Sequence, residues 1–468
     1  MKSYIYKILL SILSIVFLLS CSNDILDEID TDPNNPTEVS VDYILPIAQI
    51  RCVHDFLGGD GARSISSYVE HHCNVHLNPL WPDRSTNQFN QAYSILKDTK
   101  IIIEKGSKEN KWTHVGIAQV IKAITLGTLT DIFGDVPYSE ALNGSDNRNP
   151  KYDSQEEIYT ELFRILDDAI VNLGKEAVIN PGQYDMLLKG NKAMWIKTAW
   201  GLKARYYNRM SNIDPSGSAT KALEALRNSF SSPNEYLSFS DYAISGSDHV
   251  NLFSYAEQVG KTFALSVTML EVLNSFNESG FNDPRAERWF VPLNGVFIPA
   301  PNGENVPDIS HTRYSPISTK NVLSLNSPVV VLTYDELKFI EAEANLRLRN
   351  LPEANSAYQK AVKEACLRAG LTQEKIDLYT SQGTVFKNAE NLTLDMIIKQ
   401  KWLSFFISQP IEAWSDWRRT GIPSLYNSTD GNPIRLPYPD TELARNSNAP
   451  TDINNVTIYT KKVWWAKK

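Results

Sequence analysis

The chain has 468 residues, 42% of them hydrophobic, with 54 Asp+Glu against 46 Lys+Arg and a net charge of −8 at pH 7. That length permits several domains and a large core. The acidic balance argues against a nucleic-acid partner, because such binding rests on Lys and Arg neutralising phosphates, and four cysteines without close-spaced pairs indicate neither a disulfide framework nor a zinc ribbon.

Lys2 and Lys7 precede and open an apolar run from Ile8 to Leu19, and Leu18-Leu19-Ser20-Cys21 reads as a lipobox. Residues 1–20 are therefore expected to be a lipoprotein signal peptide and Cys21 the acylated start of the mature chain. Cleavage would remove two lysines and no acid, leaving 44 basic residues against 54 acidic. The run is shorter than the ~20 apolar residues that cross a bilayer, and no later stretch is expected to span one. Attachment would then rest on acyl groups, and on more than one, since a single chain holds only marginally. Cys52, Cys73 and Cys366 are expected to be small core residues.

Residues 21–40 are rich in Asp, Asn and Pro and poor in groups to bury, which predicts a flexible tether. Asp30, Asp32 and Asn34 superficially suggest a calcium loop, but Asn35 stands where glycine is needed and Val41 where the closing glutamate belongs. Residues 41–468 are expected to form a single, mostly α-helical domain. Ser154 and Glu157 predict a capping box, followed by one apolar stripe through Ile158, Leu162, Ile165, Leu166, Ala169, Ile170 and Leu173. Residues 112–132 and 192–210 are apolar on more than one face, which predicts helices enclosed by neighbours. Thr333 and Glu336 predict a second capping box; Pro352 opens the next helix, which stops near Gly370, so the two fold back as a hairpin. Within it Ala342, Ala354, Tyr358 and Ala361 follow the small and large spacing of a tetratricopeptide repeat. Residues 277–330, broken by seven prolines, predict an irregular but packed insert of a kind that is usually functional.

Several segments together resemble one family: LTDIFGDVPYSEAL at 129–142, NDPRAERWF at 282–290, LTYDELKFIEAEANLR at 332–347, KWLSFFISQPIEAWSDWRRTGIP at 401–423, LPYPDTELARNSN at 436–448 and KVWW at 462–465. In that order, with the lipobox, they are similar to the SusD-like (SusD/RagB) nutrient-binding outer-membrane lipoproteins of Bacteroidetes. The resemblance implies tetratricopeptide-like helical hairpins supporting a loop-rich ligand face turned away from the cell. It also implies a partner, a SusC-like TonB-dependent β-barrel transporter that receives the captured nutrient. Asp24, Asp27 and Glu28 loosely fit the family's surface-export signal. No cofactor is expected.

A glycan presents C–H faces and hydroxyls, so its site needs exposed aromatic planes beside hydrogen-bonding side chains. Two segments supply both: Trp81 with Asn78, Asp83, Arg84 and Asn87, and the insert with Trp289, Phe297, Arg313 and Tyr314. Each aromatic has packing as its alternative, Trp289 above all. In 412–421, Asp416 with Arg418 or Arg419 is expected to form an internal ion pair, and Trp414 with Trp417 a core wedge. Asp131 and Asp135, around Gly134, read as turn and cap residues, while Glu341 and Glu343 diverge on their helix. Glu70-His71-His72-Cys73 with His76 offers a weak metal pattern, which needs His72 and His76 on one helical face. No nucleophile elbow, phosphate loop or dinucleotide fingerprint occurs. The expected function is capture of an oligosaccharide for a transporter; peptide cargo, or a surface glycan hydrolase whose acid pair spacing alone does not reveal, are the alternatives.

Overall fold

The structure, a computed structural model, describes residues 39–75, 85–240, 250–278, 281–303, 313–427 and 431–467. The signal peptide, Cys21 and most of the tether lie outside them. The first helix, α1 (Val41–Ile50), begins where Ser40 accepts the Asp42 N–H. It leads through a wider turn to α2 (Asp60–Tyr68), then α3 (Ser85–Lys108) and α4 (Trp112–Phe133).

Helix α4 is the centre of the body. Contrary to expectation, a later stretch is long and apolar enough to cross a membrane by length and composition, and it is this one, but 94% of its apolar window is buried inside the fold. The neighbours that enclose it are α3, α5 (Gln155–Gly174) and α6 (Lys192–Arg209). Two glycines permit the approach: a Cβ on Gly116 would lie 2.4 Å from Leu173 Cγ, and one on Gly127 2.3 Å from the Tyr206 hydroxyl. The capping box that opens α5 is present in full, Ser154 N donating to Glu157 (2.9 Å) and Glu157 N to Ser154 Oγ (3.3 Å). Its stripe is buried from Ile158 to Leu173, with Ile170 half-buried.

The later hairpin pairs α11 (Tyr334–Arg347) with α12 (Leu351–Arg368), and Gly370 closes it at φ +81°. Ala342, Ala354, Tyr358 and Ala361 are fully buried, and the Tyr358 hydroxyl donates to the Val385 carbonyl (3.1 Å). Small residues thus admit the neighbouring helix while the tyrosine fills the gap. Thr333 caps α11 by accepting the Glu336 N–H (3.3 Å). The Glu336 carboxylate, however, does not return to close the expected box; it takes a bidentate pair from Arg205, both contacts 2.7 Å.

That pair belongs to a buried ionic network joining α4, α6, α11, α14 (Leu394–Ser404) and α15 (Pro410–Thr420). Arg209 bonds Asp131 (2.8 Å) and Glu412; Arg419 bonds Glu343 and Asp416 (2.8 Å); Lys401 bonds Asp416 (2.8 Å). Asp416 and Arg419 therefore pair as expected, with Trp414 fully buried beside them and Trp417 half-buried. Asp131 corrects the turn-and-cap reading: it is 2% exposed and also accepts from Tyr159 (2.6 Å) and Trp465 (2.7 Å). Asp135 is a cap, accepting the Gln155 N–H at the start of α5 (2.8 Å). Burial pushes Glu343 up, but Arg419 and Arg347 outweigh it and hold its carboxyl well below the usual range. Glu341 turns away to Lys338.

Cys52, Cys73 and Cys366 are buried and form no disulfide among the described residues. Among the described residues three two-stranded antiparallel sheets stitch the loops: β1 (Cys73–Asn74) with β5 (Phe263–Ala264), β2 (Val136–Pro137) with β3 (Tyr152–Asp153), and β4 (Leu237–Phe239) with β6 (Val329–Leu332).

Removing one member of a buried pair strands its partner, so Glu343→Ala is expected to lose about 3–5 kcal/mol of stability. The half-exposed Lys338–Glu341 pair is the control: Lys338→Ala should cost about 1 kcal/mol or less. Urea unfolding of both variants checks the difference, and equal losses would contradict the network's role.

Candidate ligand face

The chain leaves α2 at Tyr68 and reverses at Glu70, whose φ of +55° is unusual for a residue with a side chain. What holds it is hydrogen bonding. Its carbonyl accepts from Ser266 (2.6 Å), and its fully buried carboxylate accepts from Thr268, from the backbone of Tyr426 (2.8 Å) and Asn427 (2.9 Å), and from Asn432 (3.3 Å). One side chain thereby ties α2, α9 (Val267–Asn274) and the 426–432 loop together. His71 donates to the Trp402 carbonyl (2.9 Å), and the His72 carbonyl accepts from Asn302 (3.1 Å). The weak metal pattern therefore loses its premise: Glu70 is spent on these donors, and His72 lies beyond the helix, just before β1.

From this base β1 pairs with β5, and the insert adds further rungs through the Ala264–Pro316 and Ser266–Ala300 bridges. Leu265 N donates to Ser315 (2.8 Å), Ala300 N to Leu265 (2.7 Å) and Ser315 N to Ile298 (2.9 Å). At the tip Leu293 and Val296 exchange backbone bonds across Asn294 and Gly295, both at positive φ, the turn that an Asn-Gly pair favours. Among its described residues the 277–330 insert is thus an irregular ladder with one short helix, α10 (Arg285–Trp289). Below β5, the Glu257 carboxylate accepts the Thr262 (2.8 Å) and Phe263 (2.9 Å) N–H groups. Burial pushes its pKa up to about 7 against those bonds.

This is a helical body carrying a loop face rooted on one buried acid. The SusD-like family profile, described as starch-binding and associating with the outer membrane, matches residues 65–439. This chain belongs to the SusD-like family. Among solved structures, a SusD/RagB family protein from Bacteroides thetaiotaomicron is 28% identical with a TM-score of 0.76, over 92% of this chain and 99% of that one. A chitin-binding SusD homolog from Flavobacterium johnsoniae is 20% identical with a TM-score of 0.74, over 90% and 98%. A SusD homolog from Bacteroides uniformis is 21% identical with a TM-score of 0.72, over 91% and 100%. The last two speak to the fold alone. No curated protein matches the chain significantly.

On this SusD-like scaffold the residues singled out from sequence fall into three groups. Asn78, Trp81, Asp83 and Arg84 lie outside the described residues, as does His76. Both stems of their segment are visible: Val75 bonds Thr262 (2.8 Å) at one end, and Asn87 is exposed in the first turn of α3 at the other. In the insert, Tyr314 is half-buried against the cluster of Cys73, Val75, Ala264 and Ala300. The stem of the Trp81 segment and the Tyr314 segment are therefore neighbours in space. Arg313 is exposed and Phe297 half-buried against the main core. Trp289 stands apart, 5% exposed and packed on Phe406 with ring centroids 4.8 Å apart.

Sequence reasoning passed over Tyr426. It is 40% exposed, and its backbone N is fixed by Glu70 and Thr268 (3.0 Å). The signal was present, an aromatic residue inside the run SLYNSTDGN at 424–432, whose composition is that of a turn.

His72 supplies a pH test of this base. Burial between the Phe253 and Phe263 rings pushes its pKa down to about 3, so it stays neutral while an unfolded chain takes up the proton below about 6.5. The folded state loses stability relative to the unfolded one as pH falls through that window. His72→Phe removes the titration, so the variant should gain on the parent by up to ~1.4 kcal/mol per pH unit below pH 6.5. Urea melts of both proteins at pH 7 and pH 5 measure it, and a difference independent of pH would refute the neutral, dry histidine.

Proposed function

We propose that this protein captures an oligosaccharide at the loop face and passes it to a SusC-like TonB-dependent barrel, held to the outer surface of the outer membrane by acyl groups on Cys21. What carries the reading is the loop face itself, set on a scaffold whose family is described as starch-binding and outer-membrane associated. Three aromatic residues belong to its ligand surface: Trp81, Tyr314 and Tyr426. Asn78, Asp83, Arg84, Asn87 and Arg313 supply the hydrogen bonds, and Phe297 backs the insert.

The role is binding rather than bond cleavage. Among the described residues, the buried acids Glu70, Asp131, Asp283, Glu336, Glu343 and Asp416 and the half-buried Glu412 are each committed to internal donors. A pair of facing carboxylates, which glycoside hydrolysis requires, would have to be drawn from elsewhere. Hand-off to a transporter also limits affinity, because a slow off-rate stalls delivery. A dissociation constant of about 1 μM, roughly 8 kcal/mol, meets that demand.

Calorimetry of the intact protein against a panel of glycans and peptides tests the class, and heat from peptides alone would refute the sugar reading. Trp81→Ala and Tyr426→Ala should each weaken binding about tenfold, near 1.4 kcal/mol, with little change in Tm. Trp289→Ala should instead lose about 3–5 kcal/mol of stability, as an aromatic removed from a core does. If Trp81→Ala lowers the Tm as Trp289→Ala does, Trp81 is a packing residue.

A further inference from the structure

A cavity of about 610 Å³ opens between the β4–β6 sheet and the carboxyl end of α12. It lies in the ~300–1,000 Å³ range of small-molecule sites. None of Phe297, Arg313, Tyr314 or Tyr426 borders it, so it is distinct from the described residues of the loop face, although the ends of the insert contribute to its wall. One wall is the outer side of the sheet, where Tyr236 and Ser238 alternate along β4 and its approach; Tyr236 is 51% exposed. The opposite wall carries Glu364, and Trp289 and Phe406 line the interior with Arg285.

Much of the polar lining is already hydrogen-bonded, Asn251, Ser327, Thr333, Asp335 and Arg368 among it, but one group of side chains is not. The side chains of Asn234, Tyr236, Ser238 and Glu364 make no hydrogen bond with the described residues, nor does the Trp289 indole N–H. Arg285 is fully buried. Its Nε and Nη2 are given to Asp283, Tyr379 and Gln400, while Nη1 has no partner. A buried donor left unsatisfied costs free energy, and such groups in folded proteins usually face water or a ligand.

Charge narrows the ligand. Arg285 is balanced by Asp283 and Arg368 by Asp335, so no unpaired cation waits for a carboxylate. Glu364 has no salt bridge with the described residues and stands as an acceptor; burial followed by the Asp335 carboxylate raises its pKa. A half-exposed aromatic plane beside hydrogen-bond donors and acceptors matches the C–H face and hydroxyls of a sugar.

We propose that this cavity is a second binding site, taking a neutral sugar ring. It shares the ligand chemistry proposed for the loop face but not its residues, so the two fail separately. Glucose, N-acetylglucosamine, maltose and chitobiose are titrated calorimetrically into the intact protein and into Tyr236→Ala, Glu364→Gln and Trp81→Ala. At least one of the four should bind, about tenfold more weakly to Tyr236→Ala and severalfold more weakly to Glu364→Gln, and unchanged to Trp81→Ala. Both cavity residues are partly or largely exposed, and Glu364→Gln preserves size, so a Tm change in one variant leaves the other decisive. The proposal is overturned if none of the four sugars binds, if both cavity variants bind like the parent, or if Trp81→Ala abolishes the same binding. Dipeptide Gly-Phe binding in place of any sugar overturns it too. Loss of longer-oligosaccharide binding in Trp81→Ala reports on the loop face alone.

Discussion

Everything in this molecule is arranged around charges that have been taken out of water. Taking an ion pair from water into a protein interior costs several kcal/mol per ion, and Coulomb attraction offsets this only where geometry is good and the remaining lone pairs are satisfied. The network meets that demand by helical spacing. Arg205 and Arg209 are four apart on α6, Glu336 and Glu343 seven apart on α11, and Glu412, Asp416 and Arg419 four and seven apart on α15. Each set therefore presents one face. Apolar packing alone would tolerate a helix rotated or slid by part of a turn, whereas these directional contacts hold only when every helix sits in one register.

The segments that resembled a family are largely this network in linear form. Asp131 lies in 129–142, Glu336 and Glu343 in 332–347, and Lys401, Glu412, Asp416 and Arg419 in 401–423. Asp283 and Arg285, from 282–290, form a further buried pair with Tyr379 and Gln400 around it. Those segments thus carry the buried ion pairs, whereas Trp81, Tyr314 and Tyr426, the aromatic residues of the proposed ligand surface, lie outside them. Family membership here is thus a statement about how the helices are locked.

Local rules were legible and long-range ones were not. The Ser154 cap, the α5 stripe and the Ala-Tyr-Ala spacing of α12 depend on neighbours within a few turns, and sequence periodicity reported them correctly. Thr333 and Glu336 obeyed the same rule only by half, since Arg205, 131 residues away, competes for the carboxylate. Asp131 next to Gly134 has the local look of a turn, and only the arrival of Arg209, Tyr159 and Trp465 makes it a hub. The apolar α4 follows the same logic, because composition cannot distinguish lipid from a shell of other helices. The face was half legible. The insert was identifiable as an aromatic and polar irregular segment, whereas the contact of Tyr314 with the strand residues at Val75 and the display of Tyr426 depend on pairings that no linear pattern records.

Glu70 explains how such loops can serve a binding surface. Irregular segments carry little intrinsic order, and a ligand that must order them spends affinity doing so. By accepting four donors, from Thr268 of α9 and from Tyr426, Asn427 and Asn432, one carboxylate fixes the roots of these segments without a ligand. Two of the four are backbone N–H groups, so at Tyr426 and Asn427 it sets position without dictating which side chain is displayed. Under the proposed function, cargo would change through substitutions at positions such as Trp81 or Tyr426, while the ionic network and its acidic anchor stay as they are.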